Sequence, residues 1–204
     1  AATHSRAGPR PRQVMQTRRA SVAVVVATAA ARAARPLNPR DPGMTWVAVG
    51  LGANLGDAAG TLRAAIETLA CLPGTRLLRA SRLYRTPAWG VTAQPDFINA
   101  VALLDTGLSA RELLDALLDI ERAGGRMRID GERWGPRTLD LDVLLHGDSI
   151  IDEPGLRVPH PHLHERAFAL LPLLDAWPDA VIPGIGPARE CVAAMAADGI
   201  EPLP

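Results

Sequence analysis

Two strand patterns follow each other in the middle of the chain with no helix between them, and this pair most restricts the possible fold. Along the second pattern, Phe97 and Asn99 alternate with Ile98 and Ala100, as side chains do in a β-strand. Strand patterns at 45–51, 75–85, 96–104 and 139–145 and helix patterns at 57–72 and 109–123 occur in the order β-α-β-β-α-β. This order predicts an α+β fold, a ferredoxin-like βαββαβ core sandwich with helices covering one face of the sheet.

Helical patterns continue beyond this predicted core. Ser109 and Glu112 form a capping-box pattern at the start of the second core helix. Further helices are expected near 165–175 and 187–197, with a short strand near Val181 between them. We therefore expect an additional C-terminal helix and a single domain spanning residues 44–204.

Two carboxylates alternate with apolar residues in the last predicted core strand. Period 2 places Asp140 and Asp142 on one face and Leu139, Leu141 and Val143 on the other, with the two aspartate Cα atoms about 6.5–7 Å apart. Such a pair suits two hard divalent cations that clamp a phosphoryl group during transfer. A solvated polar strand face is the simpler explanation, and the acid pair alone favours it.

Arginines just before the acid pair shift this balance. Arg126, Arg128, Arg133 and Arg137 precede the two acids, with Trp134 among them. Guanidinium groups bind phosphate oxygens in a bidentate manner. Ion pairs with neighbouring acids are the alternative explanation, but arginines beside two carboxylates favour a metal–polyphosphate site.

The composition excludes several other kinds of chemistry. All 22 cationic side chains are arginine, so a P-loop and a Schiff-base lysine are both excluded. Cys71 and Cys191 are far apart, so neither a disulfide framework nor a cysteine-based zinc site is expected. No apolar run approaches the roughly 18 residues of a membrane span, so we expect no membrane partner.

The formal net charge of zero is divided unevenly along the chain. Residues 1–43 hold eight arginines and a single acid, Asp41, whereas residues 44–204 hold fourteen arginines and 21 acids. The apolar run 21–31 in the basic segment imitates an export signal but is short. We expect a disordered basic extension upstream of a candidate start at Met44, no nucleic-acid partner because no aromatic residue is present to stack on bases, and a cytoplasmic protein.

A glycine-rich segment, GLGANLGD at residues 50–57, follows a strand and opens a helix, as a dinucleotide-binding turn would. The glycine spacing differs from that motif, and residues 75–85 contain no acid to bind a ribose hydroxyl. We interpret the segment as a tight turn with Asp57 near the helix N-cap.

Aromatic residues cluster near polar segments. Phe97 and Asn99 share a strand face, residues 84–87 and Trp89 precede them, and Phe168 comes from a late helix. A ring stacks on a flat heterocycle, and an asparagine amide matches its amide and amine edge. These residues predict a pocket for such a heterocycle, and packing of the two phenylalanines in the core is the alternative.

Three histidines, His160, His162 and His164, alternate in the sequence VPHPHLHER. In an extended chain they could form a zinc trio. The prolines and the helix that begins here favour a single histidine beside phosphates instead, as a proton donor or charge partner.

Five segments together resemble the 6-hydroxymethyl-7,8-dihydropterin pyrophosphokinase family of folate synthesis. They are LGANLGD (51–57), YRTP (84–87), QPDFIN (94–99), RWGPRTLDLD (133–142) and VPH (158–160). The resemblance covers nearly all of residues 44–184. It implies transfer of the β,γ-diphosphate of ATP to the hydroxymethyl oxygen of the pterin, giving AMP, with ATP as co-substrate and Mg²⁺ as cofactor.

The same resemblance implies roles for residues by their motif position. The catalytic residues implied are Arg126, Arg137, Asp140 and Asp142, of which Asp140 and Asp142 would hold two Mg²⁺ ions. The implied pterin-site residues are Thr86, Pro87, Trp89, Phe97, Asn99 and Phe168. The implied ATP-site residues are Glu121, Arg126, Arg128, Trp134, Arg137, His160 and Arg166.

Two alternatives remain open from the sequence. Another metal-dependent phosphotransferase or nucleotidyltransferase could use the same acid pair, and its product would be ADP or pyrophosphate rather than AMP. A non-catalytic ferredoxin-like binding module would consume no ATP. The expected partners are small-molecule substrates, together with an association with other folate-pathway enzymes.

Overall fold

The computed structural model describes residues 43–88, 94–125, 136–195 and 199–204. Its α-helices are α1 (Ala58–Leu69), α2 (Ala110–Ala123), α3 (Ala167–Ala176) and α4 (Ala188–Ala193). Its strands are β1 (Thr45–Ala53), β2 (Thr75–Ala80), β3 (Tyr84–Thr86), β4 (Phe97–Thr106), β5 (Asp140–His146), β6 (Ile151–Glu153), β7 (Leu156–Val158), β8 (Val181–Ile182), β9 (Gly186–Pro187) and β10 (Glu201–Pro202). Nearly all of the predicted basic extension, residues 1–42, lies outside the described residues. No helix in the described ranges is long and apolar enough to cross a membrane.

The central sheet has six strands and is antiparallel in every pairing. Its order is β10-β3-β4-β1-β5, and β2 also pairs with β4. The fourth, first, third and second core strands therefore lie side by side. This is the ferredoxin-like order, and the predicted α+β class is confirmed.

The second predicted strand is divided into β2 and β3, and both of these pair with β4. Between them Ser81 keeps the chain attached to β4. Its N–H donates to the Val101 carbonyl at 2.8 Å, and its hydroxyl accepts from the Val101 N–H at 2.9 Å. This attachment lets β3 leave the register of β2 and pair with the first residues of β4.

Helices α1 and α2 cover one face of the sheet. Asp57 caps α1 by accepting a hydrogen bond from the Gly60 N–H at 2.9 Å, and Ser109 and Glu112 form the predicted capping box of α2. The fully buried leucines of these two helices are Leu62, Leu69, Leu113 and Leu117. Each contributes about 1.5–3 kcal/mol through burial, so this face forms the larger core.

Helices α3 and α4 cover half of the opposite face, so helices lie on both sides of the sheet rather than on one. Nearly every residue of α3 is apolar, and its Leu170 and Leu173 pack in one cluster with Val101 and Leu103 of β4. The other half of this face carries polar and small residues that are half-buried or exposed: Gly50, Gly52, Asn99, Asp140 and Asp142. We call this half the open face.

The C-terminal residues extend the sheet at its other edge, which the sequence patterns do not predict. β10 pairs with Tyr84 and Arg85 of β3, and the Leu203 N–H donates to the Leu83 carbonyl at 2.7 Å. Two short hairpins, β6–β7 and β8–β9, complete the described fold. The strand expected near Val181 is β8.

Candidate active site

The two predicted metal ligands lie on the open face, on the edge strand β5. In the antiparallel register Asp140 pairs with Gly52 and Asp142 pairs with Gly50, so both acids point to the same side of the sheet. Asp142 is exposed, whereas Asp140 is half-buried and forms a salt bridge with Arg137. Three of the predicted catalytic residues are therefore close together.

Two contacts from outside the sheet hold the free edge of β5. The Glu121 side chain, in the last turn of α2, is 2% exposed, and its Oε1 accepts a hydrogen bond from the Leu141 N–H at 2.7 Å. The His160 N–H donates to the Leu144 carbonyl at 3.0 Å. These contacts place two predicted ATP-site residues, Glu121 and His160, beside the acid strand.

His160 is neutral at pH 7 in the protein without ligands. Burial lowers its pKa to about 4, with smaller contributions from the charges of Arg166 and His162, while Asp140 opposes the shift. Its ring is therefore available as a neutral hydrogen-bonding group rather than as a cation.

The other two histidines of the alternating trio have their own partner. His162 Nδ1 lies 3.1 Å from Glu165 Oε2, and His164 Nε2 lies 3.3 Å from Glu165 Oε1. Within the described ranges no group of three His, Cys, Asp or Glu residues is arranged to hold a metal ion. The structure therefore gives no support to the zinc-trio alternative.

Part of the predicted heterocycle pocket lies at the opposite end of the open face, where β3 pairs with β4. Asn99 Nδ2 donates to Thr86 Oγ1 at 2.7 Å, and Thr86 is the register partner of Phe97. Thr86 is buried, whereas Phe97 and Asn99 are half-buried. Pro87 follows β3 and is exposed. This end of the face combines an aromatic ring with an amide that is held in place by a hydroxyl group.

Gly52 of β1 forms a floor without a side chain between this pocket and Asp140, whereas the Leu144 side chain packs over Gly50. Gly52 pairs with Asn99 on one side and with Asp140 on the other. Two strand spacings therefore separate Asn99 from Asp140, or about 9.5 Å. A Cβ atom at Gly52 would lie 3.2 Å from Asn99 Oδ1, so glycine at this position keeps the amide and the floor unobstructed.

Asn54 connects three of the motifs, a role that the sequence interpretation missed because it treated this segment only as a turn. The side chain is 4% exposed. Its Oδ1 accepts from the Arg137 N–H at 2.8 Å, and its Nδ2 donates to Gln94 Oε1 and to the Pro95 carbonyl, both at 3.2 Å. The Asn54 N–H also donates to the Arg137 carbonyl at 3.0 Å. The sequence signal that could have identified Asn54 is its position among the glycines of residues 50–57.

A cleft of about 620 Å³ lies next to the acid strand and the β6–β7 hairpin. Its lining includes Asp142, Glu153, Leu156, Arg157 and His160. The volume falls in the range of about 300–1,000 Å³ that is common for small-molecule sites. The cleft can therefore hold a ligand of nucleotide size with one end against Asp142.

The remaining predicted residues are placed only in part. Arg166 and Phe168 lie at the start of α3, where the guanidinium carbon is 5.8 Å from the ring centroid, a cation–π distance. Trp89, Arg126, Arg128 and Trp134 lie outside the described residues.

An acid pair and an adjacent arginine on the open face, with a cleft of nucleotide size at the edge beside them, are typical of the class of enzymes that transfer phosphoryl groups. The family model for 7,8-dihydro-6-hydroxymethylpterin-pyrophosphokinase (HPPK) matches residues 48–178, and this chain belongs to that family. The resemblance read from the motifs is thereby confirmed.

Curated relatives extend the match over most of the chain. A 2-amino-4-hydroxy-6-hydroxymethyldihydropteridine pyrophosphokinase of Pseudomonas aeruginosa is 48% identical over 158 residues, which is 78% of this chain and 96% of that protein. The enzyme of the same name from Methylorubrum extorquens is 45% identical over 158 residues, or 78% of this chain and 98% of that protein.

Solved structures show the same fold at low sequence identity. A Plasmodium falciparum HPPK-DHPS in complex with pterin and p-hydroxybenzoate has a TM-score of 0.56 and 13% identity, covering 77% of this chain. The match spans 42% of that longer chain. A triple mutant of the same protein has a TM-score of 0.59 and 15% identity, covering 74% of this chain and 44% of that one.

Proposed function

We propose that this protein transfers the β,γ-diphosphate of ATP to the hydroxymethyl oxygen of 6-hydroxymethyl-7,8-dihydropterin, giving the pterin diphosphate and AMP, in folate biosynthesis. One observation carries the proposal. Asn99 and Asp140 lie on either side of Gly52 on the open face, so a heterocycle-binding amide and a carboxylate suited to a metal–phosphate complex share one floor. The names of the curated relatives state the same activity for those proteins.

The residues of β5 fit a pair of magnesium ions. Mg²⁺ is usually held by one or two carboxylates together with substrate phosphates and water, and the exposed Asp142 and half-buried Asp140 offer such a set of donors. When bound, two Mg²⁺ ions would neutralise phosphate charge and keep the attacking and leaving oxygens in line. Magnesium dependence is therefore part of the proposal.

The side chains of this chain supply orientation and charge rather than a covalent intermediate. Arg137 lies beside Asp140 and presents a guanidinium group that suits the oxygens of the transferred diphosphate. The hydroxyl oxygen of the pterin attacks the β-phosphorus directly and its proton is lost to solvent. The bond from the β-phosphorus to the oxygen that bridges it to the α-phosphate breaks, and AMP leaves from the opposite side with that oxygen. Catalysis of this kind rests on positioning and on electrostatic stabilisation.

The acceptor is oriented at the β3–β4 end of the floor. The ring of Phe97 offers a stacking surface, and the Thr86 hydroxyl fixes the Asn99 amide through a 2.7 Å hydrogen bond. The oxygen and the second N–H of that amide match the amide and amine edge of a pterin. On the other side, the cleft next to Asp142 and His160 accepts the nucleotide.

The test is an assay of the purified 204-residue chain with ATP, hydroxymethyldihydropterin and Mg²⁺, with nucleotide products separated by chromatography. We expect AMP and pterin diphosphate in equal amounts, and no product when Mg²⁺ is chelated. Formation of ADP or of pyrophosphate would indicate a different transferase. No consumption of ATP would indicate a binding module, and either result refutes the proposal.

The partners that we propose follow from this reaction. The substrates are small molecules, and the use of ATP supports a cytoplasmic location. The HPPK-DHPS proteins of Plasmodium falciparum combine two activities in one chain by their name. They support the proposal that this protein associates with another enzyme of the folate pathway.

A further inference from the structure

The buried carboxylate of Glu121 makes its described hydrogen bond to the backbone between the two acids. Leu141 stands between Asp140 and Asp142, and its N–H donates to Glu121 Oε1 at 2.7 Å. The Glu121 side chain is 2% exposed and does not belong to the lining of the cleft. A nucleotide in that cleft would therefore not reach it without a rearrangement of α2.

Strand β5 needs such a contact because it is the edge of the sheet. Its described strand partner is β1, and the Leu141 N–H donates to Glu121 rather than to that strand. An edge strand with an unpaired N–H can shift or fray. A buried N–H that has no hydrogen-bond acceptor lowers the free energy of unfolding by about 1–3 kcal/mol. Glu121 satisfies this group, while the Leu141 side chain is anchored in the core on the other face.

We infer that Glu121 is a positioning residue that sets the spacing of the Asp140 and Asp142 carboxylates through the Leu141 amide, rather than a residue that binds ATP. This inference rests on the proposed function, in which the two acids hold the metal ions. A carboxylate acting on metal ligands in this indirect way typically changes metal affinity by 10- to 100-fold when it is removed.

Two conservative substitutions separate the hydrogen bond from the charge. Glu121→Gln removes the charge but keeps a carbonyl oxygen at the same reach. Glu121→Asp keeps the charge but is one methylene shorter, so its oxygen cannot reach the Leu141 N–H without movement of α2. Glu112→Gln is the matched control, because it weakens the capping box of the same helix and does not touch β5.

Two measurements need no turnover. The first is the amide proton shift of Leu141 in ¹H–¹⁵N spectra, and the second is the Kd for Mn²⁺ by electron paramagnetic resonance in the presence of the non-reactive analogue α,β-methylene-ATP. In Glu121→Asp we expect an upfield shift of the Leu141 proton and a Kd about tenfold weaker. In Glu121→Gln and Glu112→Gln the Kd should stay within about threefold of the wild-type value, although Glu112→Gln lowers the melting temperature.

The opposite pattern overturns the inference. If Glu121→Gln weakens Mn²⁺ binding and Glu121→Asp does not, Glu121 acts through its charge. If both variants leave the Mn²⁺ Kd unchanged but raise KM for ATP at saturating Mg²⁺, Glu121 binds nucleotide. A wild-type protein that forms no AMP would refute the proposed function alone, since the amide shift and the Mn²⁺ Kd are read without turnover.

Discussion

Gly52→Ala tests whether pterin binding requires the space above Gly52, between the pterin-site residue Asn99 and the acid Asp140. The new methyl group would lie 3.2 Å from Asn99 Oδ1, so the amide has to move by a few tenths of an ångström. This movement disturbs the 2.7 Å hydrogen bond from Asn99 to Thr86, and the methyl group also occupies the space above the floor. Both effects change the proposed pterin site at Thr86, Phe97 and Asn99 rather than the nucleotide cleft.

The expected loss is about 10- to 100-fold in kcat/KM for the pterin, the range that small displacements of a bound reactant produce. This corresponds to about 1.4–2.7 kcal/mol of transition-state stabilisation. Stability should change little, because alanine limits the unfolded chain and gains about 0.4–1 kcal/mol, which offsets the tighter contact. We therefore expect a melting temperature within about 3 °C of the wild-type value.

The assay is steady-state formation of AMP with the pterin varied at saturating ATP, together with equilibrium binding of α,β-methylene-ATP. Gly107→Ala is the matched control, because a Cβ atom there meets its nearest neighbour, Met44 Sδ, at an ordinary 3.6 Å. An unchanged kcat/KM for the pterin in Gly52→Ala would refute the reasoning. An equal loss of affinity for α,β-methylene-ATP would refute it as well, since the substitution would then disturb the nucleotide site as much as the pterin site.

Three further substitutions test other parts of the structure. Asp142→Asn should slow AMP formation by about 10³-fold with an unchanged melting temperature, because an exposed carboxylate suited to a metal is lost; unchanged turnover would contradict the two-metal proposal. Asn54→Ala removes the side-chain hydrogen bonds to Arg137, Gln94 and Pro95, so we expect a loss of about 2–4 kcal/mol in the free energy of unfolding by urea titration, and a loss below 1 kcal/mol would contradict it. Burial would raise the pKa of Asp175, but the hydrogen bonds from Arg82 and the positive charge of Arg82 lower this pKa overall. The Asp175 carboxylate therefore stabilises the fold above its unfolded pKa, and this contribution is lost as the pH falls through its folded pKa. The difference in melting temperature between the wild type and Asp175→Asn should therefore be largest near pH 6 and shrink toward pH 2, whereas a constant difference would argue against this pair.

The parts of the fold that local patterns determine were predicted from the sequence. The capping box of Ser109 and Glu112 and the alternation of Asp140 and Asp142 depend on residues within a few positions of each other. The order of strands and helices follows from the same kind of pattern and leads to the ferredoxin-like sheet. Sequence periodicity is therefore sufficient for the core and for one face of the site.

Features that depend on distant contacts were not predicted. The break between β2 and β3 requires Ser81 to bond to Val101, and β10 pairs with β3 although its Pro202 gives no strand signal. Asn54 and Arg137 are 83 positions apart, and no local pattern indicates that they meet. The apolar circumference of α3 did indicate burial on several sides, and this signal could have predicted a second helical layer.

Under the proposed function, the placement of the acid pair on an edge strand would let two substrates approach the same carboxylates from different sides. On the β1 side of β5, Gly52 leaves a floor without a side chain that leads to the proposed pterin-binding residues Phe97 and Asn99. On the outer side there is no described neighbouring strand, and the cleft beside Asp142 begins there. A central strand would have a neighbouring strand along each edge, and the side chains of the second neighbour would block one of these approaches.

An edge strand is also exposed to pairing with other chains, and this fold limits that risk with the same contacts that organise the site. Glu121 occupies the outward N–H of Leu141, and the His160 N–H occupies the outward carbonyl of Leu144. Neither contact is a strand pairing, so the cleft stays open while the edge is covered. In the proposed role of Glu121, the same contact protects the edge and aligns the acids, which is why we expect Glu121→Asp to affect metal binding before it affects folding.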